Sequence, residues 1–137
     1  MKVVRDTPPM FLEIAQAFSP LPPGVLISFG DTLFNPDGAG IRPDVMAHEE
    51  EHGRRQLAYP GGEKAWWRMY IDDPQFRCEE EVAAFGAQHD FISNSGVSRQ
   101  VRRAALRKLA QDLCRPMYGF GLSRDDAYDL IRYAAKR

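Results

Sequence analysis

The segment PDVMAHEEEHGRRQL, at residues 43–57, predicts a long helix at the centre of the chain. Pro43 suits the first turn of a helix, and the helix should stop before the Pro-Gly-Gly breaker at residues 60–62. His48 and His52 are four residues apart, so their side chains lie one above the other on the same helix face. This spacing allows both imidazoles to reach one zinc ion at about 2.0–2.1 Å.

Glu49 completes an H-E-x-x-H pattern between the two histidines. Its side chain points beside the histidine face, so it can take a proton from a metal-activated water without ligating the metal itself. With 3 His and 8 Glu in 137 residues, roughly 0.004 chance matches are expected. The alternative is a solvated, charged helix face that carries incidental histidines. The pattern therefore favours a metal centre over a chance match.

A zinc ion held by two histidines needs a third protein ligand and an open position. The candidates lie on a helix predicted from about residue 75 to 91, which contains a second acidic triplet at residues 79–81. The core side of this helix is indicated by its apolar residues Cys78, Val82, Phe85 and Phe91. Spacing alone leaves both Glu80 and Glu81 open as the third ligand.

Four motifs follow one another over about residues 25–90: His48-Glu49-x-x-His52, Trp66-Trp67 with Tyr70, Asp73-Pro74-x-Phe76-Arg77, and Glu81-x-x-Ala84-Phe85-x-x-Gln88. Together they resemble small phage- and bacterium-associated metallopeptidases of the gluzincin kind. The resemblance implies a hydrolase in which His48, His52 and Glu81 hold one zinc ion. It also implies that Glu49 is the general base in peptide-bond hydrolysis. Glu80 fits the family register less well than Glu81.

The expected fold class is α+β, a mostly helical zincin-like domain with a small N-terminal antiparallel sheet or hairpin. The predicted helices cover about residues 9–18, 43–57, 63–71, 75–91, 98–113 and 123–136, and the predicted strands cover 25–29 and 32–34. Residues 1–137 should form one domain, with a metal core at about 25–92 and a C-terminal helical extension at about 97–137.

Charge is unevenly distributed along the chain. Residues 1–92 hold 8 Lys/Arg and 15 Asp/Glu, a net −7, whereas residues 93–137 hold 10 and 4, a net +6. Arg99, Arg103 and Arg107 share one predicted helix face, which is either a phosphate-contacting patch or, as we favour, a solvated face. The expected partner is a peptide or protein substrate. Two alternatives are a catalytically silent, metal-stabilised structural or interaction protein and, less favoured, a nucleic-acid-associated phage protein that uses these basic helices.

A cytoplasmic location is expected, because the first residues lack the apolar core of a signal peptide. Two cysteines, Cys78 and Cys114, are too few for a disulfide framework and fit a reducing compartment. No membrane association is expected either, since the longest uncharged stretch, residues 14–30, contains three prolines.

Three further features bear on a metal site. Tyr70 and His89 are possible donors to an oxyanion, although a buried anchor is favoured for Tyr70 and a surface or satisfied role for His89. Asp44 either orients an imidazole or simply supplies a negative charge near a helix N-terminus. An extended substrate would pair with an edge strand at residues 25–29 or 32–34, unless these form an ordinary hairpin.

Overall fold

A computed structural model describes residues 1–135, which form six helices and three short strands. The strands are β1 (Lys2–Val4), β2 (Ile27–Phe29) and β3 (Thr32–Phe34), and the helices are α1 (Phe11–Ala17), α2 (Pro43–Ala58), α3 (Gly62–Asp72), α4 (Pro74–Ser93), α5 (Arg99–Leu113) and α6 (Arg124–Ala135). The expected α+β, mostly helical class is confirmed. The predicted end of the last helix, at Lys136, lies outside the described residues. No helix in residues 1–135 is both long and apolar enough to span a membrane.

The sheet contains one strand more than the sequence predicts. β2 and β3 form the expected antiparallel hairpin, with Phe29 opposite Thr32. β1 joins the other side of β3 in parallel, with Lys2 opposite Thr32, so the strand order is β1-β3-β2. Because β3 is paired on both sides, residues 32–34 cannot serve as an edge for an extended substrate, and that expectation is wrong.

The helix boundaries agree with prediction to within about two residues at most ends, because the capping residues are visible in the sequence. Asp73 ends α3 and starts α4, where its carboxylate accepts hydrogen bonds from the backbone N–H groups of two residues in the first turn. Ser98 and Ser123 each accept a hydrogen bond from the backbone N–H three residues further on. Asp73 is thus the single residue between α3 and α4, and α4 packs against α2.

Two buried clusters meet at α4. One lies between α1, β2 and α3 and contains Trp66, Trp67 and Tyr70, as their helical spacing predicts. The other lies between α4, α5 and α6, and Phe85 of α4 belongs to it. The Phe85 ring also meets the imidazole of His48 edge-on, with ring centroids 4.6 Å apart. Helix α4 therefore connects the C-terminal helices to the histidine face of α2.

The hairpin packs tightly on α2 through Gly53 and Gln56. A Cβ at Gly53 would lie 2.2 Å from the carbonyl oxygen of Gly30, so only glycine allows this approach. The side-chain amide of Gln56, which is fully buried, donates to the carbonyl oxygen of Ser28 at 3.1 Å and accepts from the N–H of Gly30 at 2.7 Å. These contacts hold β2 and the turn that follows it against α2.

Candidate metal centre

His48, His52 and Glu81 converge in the interior, with one ligand atom from each lying within 4.8 Å of the others. The histidines come from consecutive turns of α2, and Glu81 comes from the facing turn of α4. All three are at least 93% buried, with exposed fractions of 7%, 5% and 3%. The structure thus brings together the three residues that the motifs select as ligands.

The distances between these atoms suit a small cation. In a tetrahedral zinc site with bonds of about 2.05 Å, neighbouring ligand atoms are about 3.3 Å apart. Here Nε2 of His48 is 3.4 Å from Oε1 of Glu81, and Nε2 of His52 is 2.9 Å from Oε2. Two imidazole nitrogens and one carboxylate suit zinc and also other divalent first-row ions. The group can therefore bind a metal ion, and its geometry alone does not select zinc.

A chain of polar contacts holds the ring of His48. Its Nδ1 lies 3.0 Å from Oε1 of Gln88, and the amide nitrogen of Gln88 donates to Asp44 at 2.9 Å. Arg42 in turn forms two hydrogen bonds of 3.1 Å to Asp44. Since the amide oxygen can only accept, the proton of His48 belongs on Nδ1, and Nε2 presents its lone pair to the cavity. Asp44 therefore orients the imidazole through Gln88 rather than by direct contact.

Within the described chain, only one of the two carboxylate oxygens of Glu81 accepts a hydrogen bond. The hydroxyl of Tyr70 donates to Oε2 at 2.5 Å, whereas the buried Oε1 has no hydrogen-bond partner among residues 1–135. A buried carboxylate oxygen without a partner is costly unless a cation or proton occupies its lone pairs. This atom is thus the strongest sign in the site of a bound cation. Among the described residues, Nδ1 of His52 also has no hydrogen-bond partner.

The electrostatics couple Glu81 to His52. Burial opposes ionisation of Glu81, but the charge of His52 and the hydrogen bond that His52 donates outweigh it and hold the pKa of Glu81 well below its ordinary value. Burial likewise opposes the charge on His52, but the neighbouring Glu81 raises the pKa of His52 to about 9. Without a metal, this proton links the two side chains. A metal ion that binds here must displace it.

Glu49 lies on the wall of the same cavity as the three converging residues. Burial raises its pKa, while the nearby His48 and His52 charges and a hydrogen bond with the Ser28 hydroxyl act in the opposite direction. Glu49 therefore lines the cavity in which the three ligand atoms meet, but it is not one of the three. Its placement is compatible with the base role that its position in the motif predicts.

The two acidic triplets, at residues 49–51 and 79–81, divide in the same way. In each, one carboxylate faces the cavity (Glu49, Glu81), one is exposed (Glu50, Glu79), and one pairs with an arginine of α2. Glu51 pairs with Arg54 at 2.7 Å, and Glu80 pairs with Arg55 at 2.6 Å while also accepting from Trp66 at 2.6 Å. Glu80 is therefore fully engaged elsewhere, and Glu81 alone of the second triplet faces the histidines.

The cavity around this group is small, about 90 Å³. Its apolar wall comes from α1, the segment before β2 and α3, including Phe18, Val25, Leu26 and Trp67. The backbone carbonyl of Ser28, which points outward from β2, already accepts hydrogen bonds from the side chains of Gln56 and Trp67, each at 3.1 Å. An extended substrate therefore cannot pair with the Ser28 carbonyl. Of the edge predicted at residues 25–29, only the segment before β2 remains for such pairing.

Sequence reasoning missed Tyr118, which lies in the loop between α5 and α6. Tyr118 and Met117 line the cavity, and burial together with the charges of Glu81 and Glu49 raises the pKa of Tyr118 well above its ordinary value. Arg77 holds the loop, because one of its nitrogens donates to the Tyr118 carbonyl at 2.7 Å while two others bind carbonyls at the end of α3. Main-chain acceptors of this kind leave no motif in a sequence.

His89 lies away from the cavity, although the sequence offered it as a possible donor beside Tyr70. It lines a separate cleft between α4 and the C-terminal helices, where burial and the charge of Arg102 lower its pKa and Asp90 opposes them. Tyr70 is both a buried anchor, stacked on Trp66 at 4.8 Å, and a hydrogen-bond donor to Glu81. The oxyanion role therefore has no support at His89.

No family model, curated protein or solved structure matches the chain. The likeness to gluzincins consequently depends on the motifs quoted above. The His-His-Glu geometry is consistent with those motifs, and what it offers directly is a buried group able to bind one metal ion.

Proposed function

We propose that the protein is a zinc-dependent metallopeptidase of the gluzincin kind, with His48, His52 and Glu81 as ligands and Glu49 as the general base. The observation that carries the proposal is the convergence of these ligands from α2 and α4 beside a second carboxylate, that of Glu49, which lines the same cavity. Two histidines and one carboxylate leave a fourth position for substrate or water, as in catalytic rather than structural zinc sites.

The residues of the chain divide the work of hydrolysis. A bound zinc ion would supply a Lewis acid that polarises the scissile carbonyl and acidifies water. Glu49 accepts the proton of the attacking water and then delivers it to the leaving amine. Gln88 keeps the proton of His48 on Nδ1, and Tyr70 holds Glu81 in place. The apolar wall before β2 excludes water from one side of the cavity.

The proposal is tested by metal analysis together with cleavage of a peptide library followed by mass spectrometry. Glu49→Gln should retain zinc and lose cleavage, whereas Glu50→Gln, an exposed change one residue further on, should leave both unchanged. Glu81→Gln should lose zinc, whereas Glu79→Gln should retain it. Cleavage by Glu49→Gln at the parental rate would show that the mechanism is wrong.

A second candidate, a metal-stabilised structural or interaction protein, is favoured by the size of the cavity. Its volume of about 90 Å³ is well below the roughly 300–1,000 Å³ of typical ligand pockets, so the cavity has little room for a peptide. This candidate predicts bound metal, a melting temperature that collapses with chelator, and no cleavage of any library peptide. The peptidase predicts cleavage that chelator abolishes and zinc restores.

A further inference from the structure

A second concave surface lies between α4, α5 and α6, on the C-terminal side of the molecule. This cleft, of about 890 Å³, is lined by four arginines, three from α5 and one from α6: Arg99, Arg102, Arg103 and Arg132. His89, Asp90 and Ser93 of α4 and Tyr128 of α6 complete much of its wall. It shares no lining residue with the metal cavity among the residues described.

The four arginines form no ion pair with a carboxylate within residues 1–135. Ion pairs at 3.2 Å or less do hold other arginines: Arg42, Arg54, Arg55 and Arg115. Among the described residues that line the cleft, Asp90 is the sole carboxylate. Four like charges around one concavity repel one another, and a multiply charged anion bound between them would relieve that repulsion.

Phosphate is the anion that this arrangement suits best. A guanidinium presents paired N–H donors that match phosphate oxygens, and arginines from two helices can contact successive phosphates. The cleft volume is in the range of sites for nucleotide-sized ligands, and the Tyr128 ring and Ser93 hydroxyl add contacts for the rest of such a ligand. We propose that the cleft between α4, α5 and α6 binds the phosphate groups of a nucleic acid strand.

This surface differs from the one that helical spacing predicts. Arg107, which shares a predicted face with Arg99 and Arg103, lines a different groove together with Arg124. The cleft contains Arg132 instead of Arg107, because α6 packs against α5 and brings Arg132 to the cleft wall. Arg107 is therefore a matched control, because it carries the same charge on the same helix and lies outside the cleft.

The test is fluorescence anisotropy of a labelled 20-nucleotide single strand, titrated with the full-length protein over a series of salt concentrations. Four phosphate contacts predict a slope of about −2.8 for log affinity against log salt. Arg102→Gln and Arg103→Gln should each reduce that slope by about 0.7, whereas Arg107→Gln should leave it unchanged. Glu49→Gln should bind the strand like the parent, which separates this result from the fate of the peptidase proposal. Thermal melting followed by circular dichroism checks that each variant is folded.

Competition identifies the source of the phosphate. Displacement of the strand by unlabelled oligonucleotide but not by ATP or pyrophosphate supports a nucleic-acid backbone, and displacement by both supports a phosphate site that also accepts free nucleotides. Equal displacement by poly-glutamate at the same charge concentration overturns the assignment to phosphate. Equal losses in Arg107→Gln and Arg102→Gln, or no binding at low salt, overturn the assignment to this cleft.

Discussion

Replacing Gln88 by Met should weaken metal binding without removing any ligand. The substitution preserves the length of the side chain but deletes the amide oxygen that lies 3.0 Å from Nδ1 of His48. A metal on Nε2 requires the proton on Nδ1, so the metal-bound form acquires a buried N–H without an acceptor. In the metal-free form the proton can move to Nε2, which faces Glu81 at 3.4 Å. The penalty therefore falls on the bound state and appears in the dissociation constant.

The size of the effect follows from the burial of this contact. A buried donor left without a partner costs about 1–3 kcal/mol, which corresponds to roughly 5- to 150-fold in a dissociation constant. Loss of an outer hydrogen bond to a metal-binding histidine costs about 10- to 100-fold in metal affinity. We therefore expect Gln88→Met to raise the zinc dissociation constant by about 10- to 100-fold, measured by competition with a chromophoric chelator at pH 7.5.

Two further variants make this reasoning refutable. Gln75→Met, at the exposed start of the same helix, should leave the dissociation constant unchanged. Asp44→Asn should cost less than about tenfold, because Gln88 still accepts from His48 and the new amide oxygen can still accept from Gln88. A Gln88→Met protein that binds zinc within threefold of the parent would refute the relay, as would an Asp44→Asn protein that binds more weakly than Gln88→Met.

Three other outcomes are expected. Gly53→Ala should lower stability by about 1–3 kcal/mol in urea denaturation, because its Cβ would meet a backbone oxygen, whereas Gly40→Ala, with no atom within 4 Å of its Cβ, should change stability little. The pKa of His52 is raised from 6.5 to about 9, and that of Glu81 is lowered from 4.5. In the metal-free protein the ion pair between these two side chains should therefore contribute its full stabilisation between pH 4.5 and 6.5. The melting temperature of the metal-free protein should fall as the pH rises towards 9 or drops below 4.5. When zinc is titrated into the protein at pH 7.5, calorimetry should detect about one proton released from His52 per zinc bound. Arg77→Lys should destabilise the protein and increase hydrogen exchange in the loop between α5 and α6, because a lysine cannot bind three separated carbonyls as the guanidinium does.

The helices were predictable because their ends carry explicit signals. Asp73 before Pro74 marks both the end of α3 and the start of α4, and the histidine spacing in α2 needs only helical geometry. β1 was missed because a three-residue strand has little periodicity and pairs with residues about 30 positions away. Local sequence does not reveal such a long-range contact.

Helix α4 shows where apolar periodicity misleads. Phe91 was expected on the core side, yet it is 44% exposed, whereas Arg77, Glu80 and Gln88 are buried. The face that α4 turns towards α2 and α3 is filled by polar side chains with specific partners, so hydrophobicity does not mark it. Tyr118 was missed for a related reason, because the loop that carries it is held by main-chain carbonyls.

The acidic triplets illustrate how one helical turn can separate three like charges. Consecutive residues of a helix are rotated by about 100°, so residues 49–51 point in three directions, as do residues 79–81. Only Glu49 and Glu81 face the cavity, while the other four carboxylates are neutralised by arginines or exposed to solvent. A divalent cation there meets two carboxylates rather than six, which balances its charge. The exposed Glu50 and Glu79 add negative potential around the site without entering it, and this potential favours the capture of a cation.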